Sequence, residues 1–216
     1  MPQIFNLRKL AIALAMFALV GIASATAKAD GVIFDSSPGN FANDENVLLD
    51  TAQTGNPIFG LTNQTQLNVR FTGAETLTAL ANGQARVEAL DGAYAYLKID
   101  IPGGSYTSLI ININALEDGD VHFVVTTTTG PYTFDSTLAA GGQNFSRFLA
   151  DGATRILSVE FWTSTGVSLT IEDAVDTRQV RIGGAQLDAV PEPASMLLLG
   201  TGLFGVAGAA RRRFKK

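Results

Sequence analysis

Cysteine is missing from this chain of 216 residues, and histidine and tryptophan occur once each. The lack of cysteine excludes disulfides, thiol catalysis, Cys-ligated zinc and attachment of lipid to an N-terminal cysteine. The one histidine, His122, lies on the polar side of an apolar alternation and has no serine-nucleophile motif beside it. A base without a nucleophile in reach does not make a triad. We therefore predict that the protein is not an enzyme and that it needs no cofactor.

Basic residues are scarce between the two ends of the chain. Residues 30–189 contain seven Lys and Arg but 19 Asp and Glu, a net charge of −12. Such a charge favours solubility and contact with divalent cations, and it argues against nucleic acid or any other polyanion as a partner.

A sustained helical period is also missing from residues 30–189, which instead alternate between apolar and polar residues. The clearest alternations cover residues 66–72, 107–114 and 120–127. This period of two, with turn dipeptides such as Asp91-Gly92 and Asp151-Gly152 between runs, predicts short antiparallel strands joined by tight hairpins. Helical turns are expected only at residues 144–150 and 172–176. The predicted fold class is all-β, an antiparallel two-sheet sandwich that resembles a jelly roll.

The N-terminus reads as a secretory signal peptide, residues 1–29. Arg8 and Lys9 precede an apolar stretch over residues 10–23, and Ala27-Lys28-Ala29 has the small-x-small form that signal peptidase cuts. Cleavage after Ala29 would leave Asp30 as the first mature residue and residues 30–189 as one exported domain.

The C-terminus, residues 190–216, has three parts in a fixed order. Pro191, Glu192 and Pro193 are followed by an apolar run over residues 194–210 and then by five basic residues, Arg211, Arg212, Arg213, Lys215 and Lys216. As a helix the run is about 26 Å long, close to the roughly 30 Å of a bilayer core. We expect the basic residues to stop transfer and to hold this end in the cytoplasm. Residues 30–189 then lie on the opposite side of the inner membrane.

This order of elements resembles the PEP-CTERM sorting signal of bacterial exported proteins. The resemblance rests on Val190-Pro191-Glu192-Pro193-Ala194-Ser195, the glycine-containing apolar run and the Arg-rich end, about an eighth of the chain. It implies that an exosortase, an integral membrane protease and transpeptidase, reads Pro191, Glu192 and Pro193 and releases the protein toward the cell surface and its exopolysaccharide. A plain C-terminal membrane anchor is the alternative.

Two further groups of residues are candidates for ligand binding, one for sugars and one for calcium. Trp162, Tyr94 and Tyr96 are the aromatic residues that we expect to stack on sugar rings, with the two tyrosines on one strand face, although sheet cores use aromatic residues as well. Glu117, Asp118 and Asp120 form the densest acidic loop and are the candidates for a structural calcium ion, with an ordinary Asp-Gly hairpin as the alternative.

Together these features predict an exported protein of the cell surface or extracellular matrix, with a structural or adhesive role. Its processing partners are signal peptidase and an exosortase, and its membrane attachment is transient. The alternative is a carbohydrate-binding module for exopolysaccharide. A secreted hydrolase that uses a pair of carboxylates is a third reading, but 19 acids make such pairs inevitable by chance.

Overall fold

The computed structural model describes residues 31–81, 83–164 and 173–188. The predicted signal peptide, the apolar C-terminal run and the basic tail lie outside these residues. The described part contains 17 strands and no helix: β1 (Gly31–Asp35), β2 (Asp44–Leu49), β3 (Gln53–Gly55), β4 (Ile58–Thr62), β5 (Asn68–Gly73), β6 (Leu77–Ala79), β7 (Gly83–Gln84), β8 (Arg86–Ala89), β9 (Tyr96–Asp100), β10 (Gly104–Ser105), β11 (Ser108–Ala115), β12 (Gly119–Thr127), β13 (Gly130–Leu138), β14 (Asn144–Asp151), β15 (Ile156–Ser164), β16 (Ala174–Gly183) and β17 (Gln186–Leu187).

The strands form two antiparallel layers that share β2. Sheet 1 runs β1-β14-β11-β16, and its β16 continues to β2 and also pairs with β8, which leads to β6 and β3. Sheet 2 runs β2-β4-β5-β9-β15-β12-β13. From β13 to β16 the chain passes between the two sheets at every step, which is the jelly-roll-like pattern. The prediction of an all-β, antiparallel, jelly-roll-like sandwich is confirmed.

Alternating side chains fill the space between the sheets. Val121, Phe123 and Val125 of β12 are buried, as their alternation predicts. Phe34 of β1 and Phe148 of β14 reach across from sheet 1, and their ring centroids lie 5.8 Å and 5.0 Å from that of Phe123. These large aromatic contacts hold the two sheets face to face.

Three predictions about local structure are wrong. Residues 144–150, expected as a helical turn, form strand β14, because Ser146 and Phe148 alternate inward between β1 and β11. In the second predicted turn, residues 172–176, the described part begins strand β16 at Ala174, because Ala174 and Asp176 are buried where β16 pairs with β11. Residue 172 lies outside the described residues. The turns Asp91-Gly92 and Asp151-Gly152 do have positive φ at glycine, but they link strands of different sheets and close no hairpin.

A short two-stranded sheet fixes the point where the chain leaves the domain. Gly104 and Ser105 of β10 pair with Leu187 and Gln186 of β17. A Cβ at Gly104 would lie only 2.5 Å from the carbonyl oxygen of Gln186, so this approach requires glycine. Within the described residues no helix has the length and apolar character needed to cross a membrane.

Candidate functional site

Four side chains form a row across the outer face of sheet 2, from β9 to β13. The antiparallel register places Trp162 of β15 opposite Tyr96 of β9 on one side and opposite His122 of β12 on the other. His122 in turn lies opposite Asp135 of β13. Directly opposite residues share one face of a sheet, so these four side chains, the aromatic row, line up at right angles to the strands.

His122 is held in the aromatic row by two hydrogen bonds. Its Nδ1–H donates to Oδ1 of Asp135 over 2.6 Å, because a carboxylate only accepts, and its Nε2 shares a hydrogen bond of 2.8 Å with the Ser164 hydroxyl. The imidazole centroid lies 5.9 Å from that of the Trp162 ring at an interplanar angle of 31°. The hydrogen bonds thus fix a flat ring beside the only tryptophan.

The order Ser164–His122–Asp135 is that of a hydrolase triad, and sequence reasoning did not find it. Ser164 is only 6% exposed, which leaves little room for a substrate carbonyl at its hydroxyl. Acyl transfer also needs hydrogen-bond donors for the oxyanion, and the neighbouring N–H of Thr163 already donates to the carbonyl oxygen of Ala95. Within the described residues the arrangement therefore serves to orient the His122 imidazole beside Trp162.

A second row, of polar groups, borders the aromatic row at the positions two residues away along β9 and β15. The Tyr96 hydroxyl donates to Oε2 of Glu160 over 2.9 Å, and Lys98 Nζ lies 3.1 Å from Oε1 of the same carboxylate. Burial, followed by the Glu160 carboxylate, raises the pKa of Tyr96, so its hydroxyl remains a donor. Flat rings beside fixed donors and acceptors are what a surface needs to bind a sugar.

The structure removes Tyr94 from the predicted glycan contacts. Tyr94 is fully buried, its ring centroid lies 6.3 Å from that of Phe161, and its hydroxyl donates to Thr177. The prediction that Tyr94 and Tyr96 share one face is wrong, because Tyr94 belongs to a single bridge with Ala174 and the regular alternation of β9 begins only at Tyr96. Trp162 and Tyr96 are half-buried on the outer face.

The acidic loop of Glu117, Asp118 and Asp120 is tied to its surroundings by hydrogen bonds. Oδ1 of Asp118 accepts from the Ala140 N–H over 2.8 Å, and the Glu117 N–H donates to Oδ1 of Asp173 over 2.7 Å. Among the residues that the structure describes, no three His, Asp or Glu side chains come together as metal ligands. The predicted calcium site therefore gains no support. The predicted Asp118-Gly119 hairpin is also wrong, because this loop joins β11 of sheet 1 to β12 of sheet 2.

The predicted processing residues all lie outside the described part of the chain: Ala27 and Ala29, Pro191, Glu192 and Pro193, and the basic residues Arg211, Arg212, Arg213, Lys215 and Lys216. The fold does fix the residue from which the sorting segment starts. The Ser105 hydroxyl donates to Oδ1 of Asp188 over 2.8 Å, and the Asp188 N–H donates to the Gly103 carbonyl over 2.9 Å. Nε of Arg155 donates to the Ser105 hydroxyl over 2.8 Å. We call this group, Gly103, Ser105, Arg155 and Asp188, the exit clamp.

Comparison with known proteins identifies the segment that follows the exit clamp. Residues 189–213 match the PEP-CTERM protein-sorting motif. The motif begins at the residue after Asp188, so the folded domain and the sorting motif adjoin without a linker. The predicted resemblance is confirmed, and the chain carries the signal of an exported, exosortase-sorted protein.

The solved structures that are similar to this chain include family 29 carbohydrate-binding modules. One from Piromyces equi is 9% identical, over 72% of this chain and 89% of that one, with a TM-score of 0.25. Another, in complex with mannohexaose, is 12% identical over 72% and 88% of the two chains, with a TM-score of 0.24. At these TM-scores the likeness carries no argument about ligands. No curated protein matches the chain.

Proposed function

We propose that this protein is a structural or adhesive component of the cell surface or extracellular matrix, exported as a precursor and released by an exosortase. The observation that carries the proposal is the PEP-CTERM motif at residues 189–213, which follows the β-sandwich directly in the chain. Pro191 and Pro193 fix φ and favour an extended backbone, the form in which a protease takes its substrate. These residues, with Glu192, are recognition elements for the processing enzyme.

The expected positions of the two cuts are compatible with the boundaries of the sandwich. Signal peptidase would cut after Ala29, two residues before β1 begins at Gly31. The exosortase would cut near Pro191, three residues after the exit clamp ends at Asp188. The released protein would then consist of the sandwich with almost nothing added. Its net charge of −12 over residues 30–189 favours solubility outside the cell.

Intact mass and location test the proposal. The wild-type protein from native cells is compared with a variant in which Pro191, Glu192 and Pro193 are all changed to Ala. We expect the wild type to lack residues 1–29 and the apolar run and to leave the membrane, whereas the variant keeps its C-terminus and stays in the membrane. If both proteins keep the run and remain in the membrane, the motif is only the end of a plain anchor, and the proposal is wrong.

A second function, binding of exopolysaccharide, is favoured by the aromatic row. Tyr96, Trp162 and His122 offer rings on three adjacent strands, which lie about 4.8 Å apart, so a glycan chain would run across the strands. Glu160, Lys98 and Asp135 would hydrogen-bond its hydroxyl groups. The excess of acidic groups favours a neutral glycan over an anionic one.

The single tryptophan gives a direct assay for this second function. Exopolysaccharide purified from the producing cells should change Trp162 fluorescence saturably. Tyr96→Ala should weaken binding by about tenfold, if the lost ring contact contributes about 1.4 kcal/mol. Ile33→Ala is the matched control, because Ile33 is exposed on the outer face of sheet 1. Equal binding by all three proteins, or no fluorescence change at any concentration, would exclude this site.

A further inference from the structure

An apolar groove lies on the outer face of sheet 2, at the end of the strands remote from the aromatic row. It has a volume of about 640 Å³ and is lined by Phe59, Gln66, Leu67, Asn68, Pro102 and Leu187. Phe59 is 41% exposed and Leu187 is 60% exposed. Leu61, 37% exposed, continues the apolar surface along β4. Exposed apolar side chains that cluster in this way on an acidic domain mark a binding surface.

The groove carries no charged side chain, although the domain that contains it has a net charge of −12. An acidic surface would be repelled by anionic lipid headgroups, whereas an uncharged apolar one is not. The groove is also firmly built. The Gln53 side chain makes two hydrogen bonds to the backbone of Phe59, donating to its carbonyl over 2.6 Å and accepting from its N–H over 2.9 Å.

The groove lies where the chain leaves the domain for the sorting motif. Leu187 lines the groove, and the next residue, Asp188, is held by the exit clamp. The apolar run begins at Ala194, only six residues beyond Asp188. Six residues span at most about 20 Å when fully extended. A membrane-inserted run would therefore keep this end of the sandwich close to the bilayer until processing.

We infer that the groove end of the sandwich, Phe59, Leu61, Pro102 and Leu187 with the residues around them, rests on the lipid surface while the precursor is anchored. The inference rests on the proposed membrane attachment of residues 194–210. The lipid interface is the occupant that the short tether brings to the groove, and apolar side chains that enter the headgroup region gain hydrophobic burial there. The groove thus sets which end of the domain faces the membrane.

This orientation has a consequence for the aromatic row. Along β9 and β15 the row of Phe59, Arg70, Asp100 and Ser158 lies four residues from the row of Tyr96 and Trp162, a separation of about 13 Å. With the groove end on the bilayer, the aromatic row lies at the far end of the same face. An anchored precursor would then already present that row away from the membrane.

Because the chain has no cysteine, single Cys variants give a clean test. Phe59→Cys and Leu187→Cys place a polarity-sensitive dye in the groove of the full chain, reconstituted in vesicles of phosphatidylethanolamine and phosphatidylglycerol. Leu116→Cys is the matched control, since Leu116 is 59% exposed and follows the end of β11 that lies away from β10. Brominated lipids then report contact with the acyl chains. We expect the two groove dyes to be quenched and blue-shifted and the control dye to be neither.

Three results would contradict the inference in distinguishable ways. If the full chain does not float with the vesicles, the proposed anchoring fails and the inference fails with it. If the chain floats but groove and control dyes respond alike, anchoring stands and the lipid contact is wrong. If the groove is unquenched in lipid vesicles but becomes protected in native membranes, its occupant is a protein, either the processing enzyme or a second copy.

Discussion

Two buried tyrosines should make the sandwich lose stability steeply above pH 10. Tyr94 and Tyr106 are fully buried, and burial raises the pKa of each well above the usual tyrosine value. Below pH 10 both are protonated in the folded and unfolded chain alike, so their contribution is complete there. Above pH 10 the unfolded chain loses these protons and the folded one keeps them. The free energy of unfolding therefore falls as pH rises toward the folded pKa values.

The size of this effect follows from proton counting. Each such tyrosine lowers the free energy of unfolding by about 1.4 kcal/mol per pH unit, so the two together lower it by roughly 3 kcal/mol per unit. Lysine is the other group that titrates in this range, and Lys98 is the only lysine in residues 30–189. The alkaline loss of stability is thus almost entirely a tyrosine effect, to which Tyr96 adds a smaller share, because its pKa is also raised but its side chain is only half-buried.

Urea denaturation of the detergent-solubilised chain, followed by circular dichroism at pH 8, 10 and 11, measures the slope. Tyr106→Phe removes one titrating hydroxyl and its hydrogen bond to the Ile99 carbonyl. It should cost about 1 kcal/mol at pH 8 and reduce the slope above pH 10 by about 1.4 kcal/mol per unit. Lys98→Arg should leave the slope nearly unchanged. Equal stability of the wild type at pH 8 and pH 11 would refute the reasoning.

Three substitutions test the packing and one buried group of hydrogen bonds, and a fourth serves as a control. Phe123→Ala removes a ring that contacts both sheets and should cost about 3–5 kcal/mol in the urea unfolding free energy. Gly60→Ala would bring a Cβ to 2.7 Å from a Val47 methyl and should lower the free energy of unfolding by about 1–3 kcal/mol. The control Gly55→Ala, whose Cβ would have its nearest neighbour at 3.7 Å, should change the stability little. Equal effects of the two substitutions would contradict the close packing of β4 on β2. Glu45→Ala removes a buried carboxylate that accepts three hydrogen bonds from the turn at residues 64 and 65. It should lower the free energy of unfolding by about 2–3 kcal/mol. An unchanged midpoint of urea unfolding would show that these hydrogen bonds do not stabilise the fold.

The alternation of apolar residues predicted the strands that have one buried face. Val121 and Phe123 of β12 point inward as expected, and so do Leu109, Ile111 and Ile113 of β11, although the other face of β11 is buried as well. The pattern works because burial on one face of a sheet leaves a period of two in the sequence. The terminal signals could likewise be predicted, because each depends on the order of residues in one short segment.

What failed depends on which strands become neighbours. Strand β13 was not predicted at all, although Tyr132 and Phe134 alternate toward the core, because it begins at Gly130-Pro131 and lies at a sheet edge. The sequence predicts a helical turn in place of β14, because the apolar residues Phe145, Phe148 and Leu149 also fit a helical spacing. In a segment of eight residues, the spacing of apolar side chains does not distinguish a strand from a helical turn.

The aromatic row could not be read from the sequence for the same reason. Its members, Tyr96, His122, Asp135 and Trp162, come from four strands, and only the registers of three strand pairs bring them together. The missed contact of His122 with Ser164 spans 42 residues of sequence. The one available signal was the outward position of His122 and Trp162 in two alternating strands, which marks them as surface residues but not as neighbours.

The most direct test of export and release is to determine the first and last residues of the protein that native cells secrete. Mass spectrometry of the extracellular protein should find a chain that starts at Asp30 and ends no later than Pro193, with the sandwich intact and the apolar run removed. An extracellular protein that retains residues 194–216, or a chain found only in the membrane with that segment attached, would contradict release through the sorting motif.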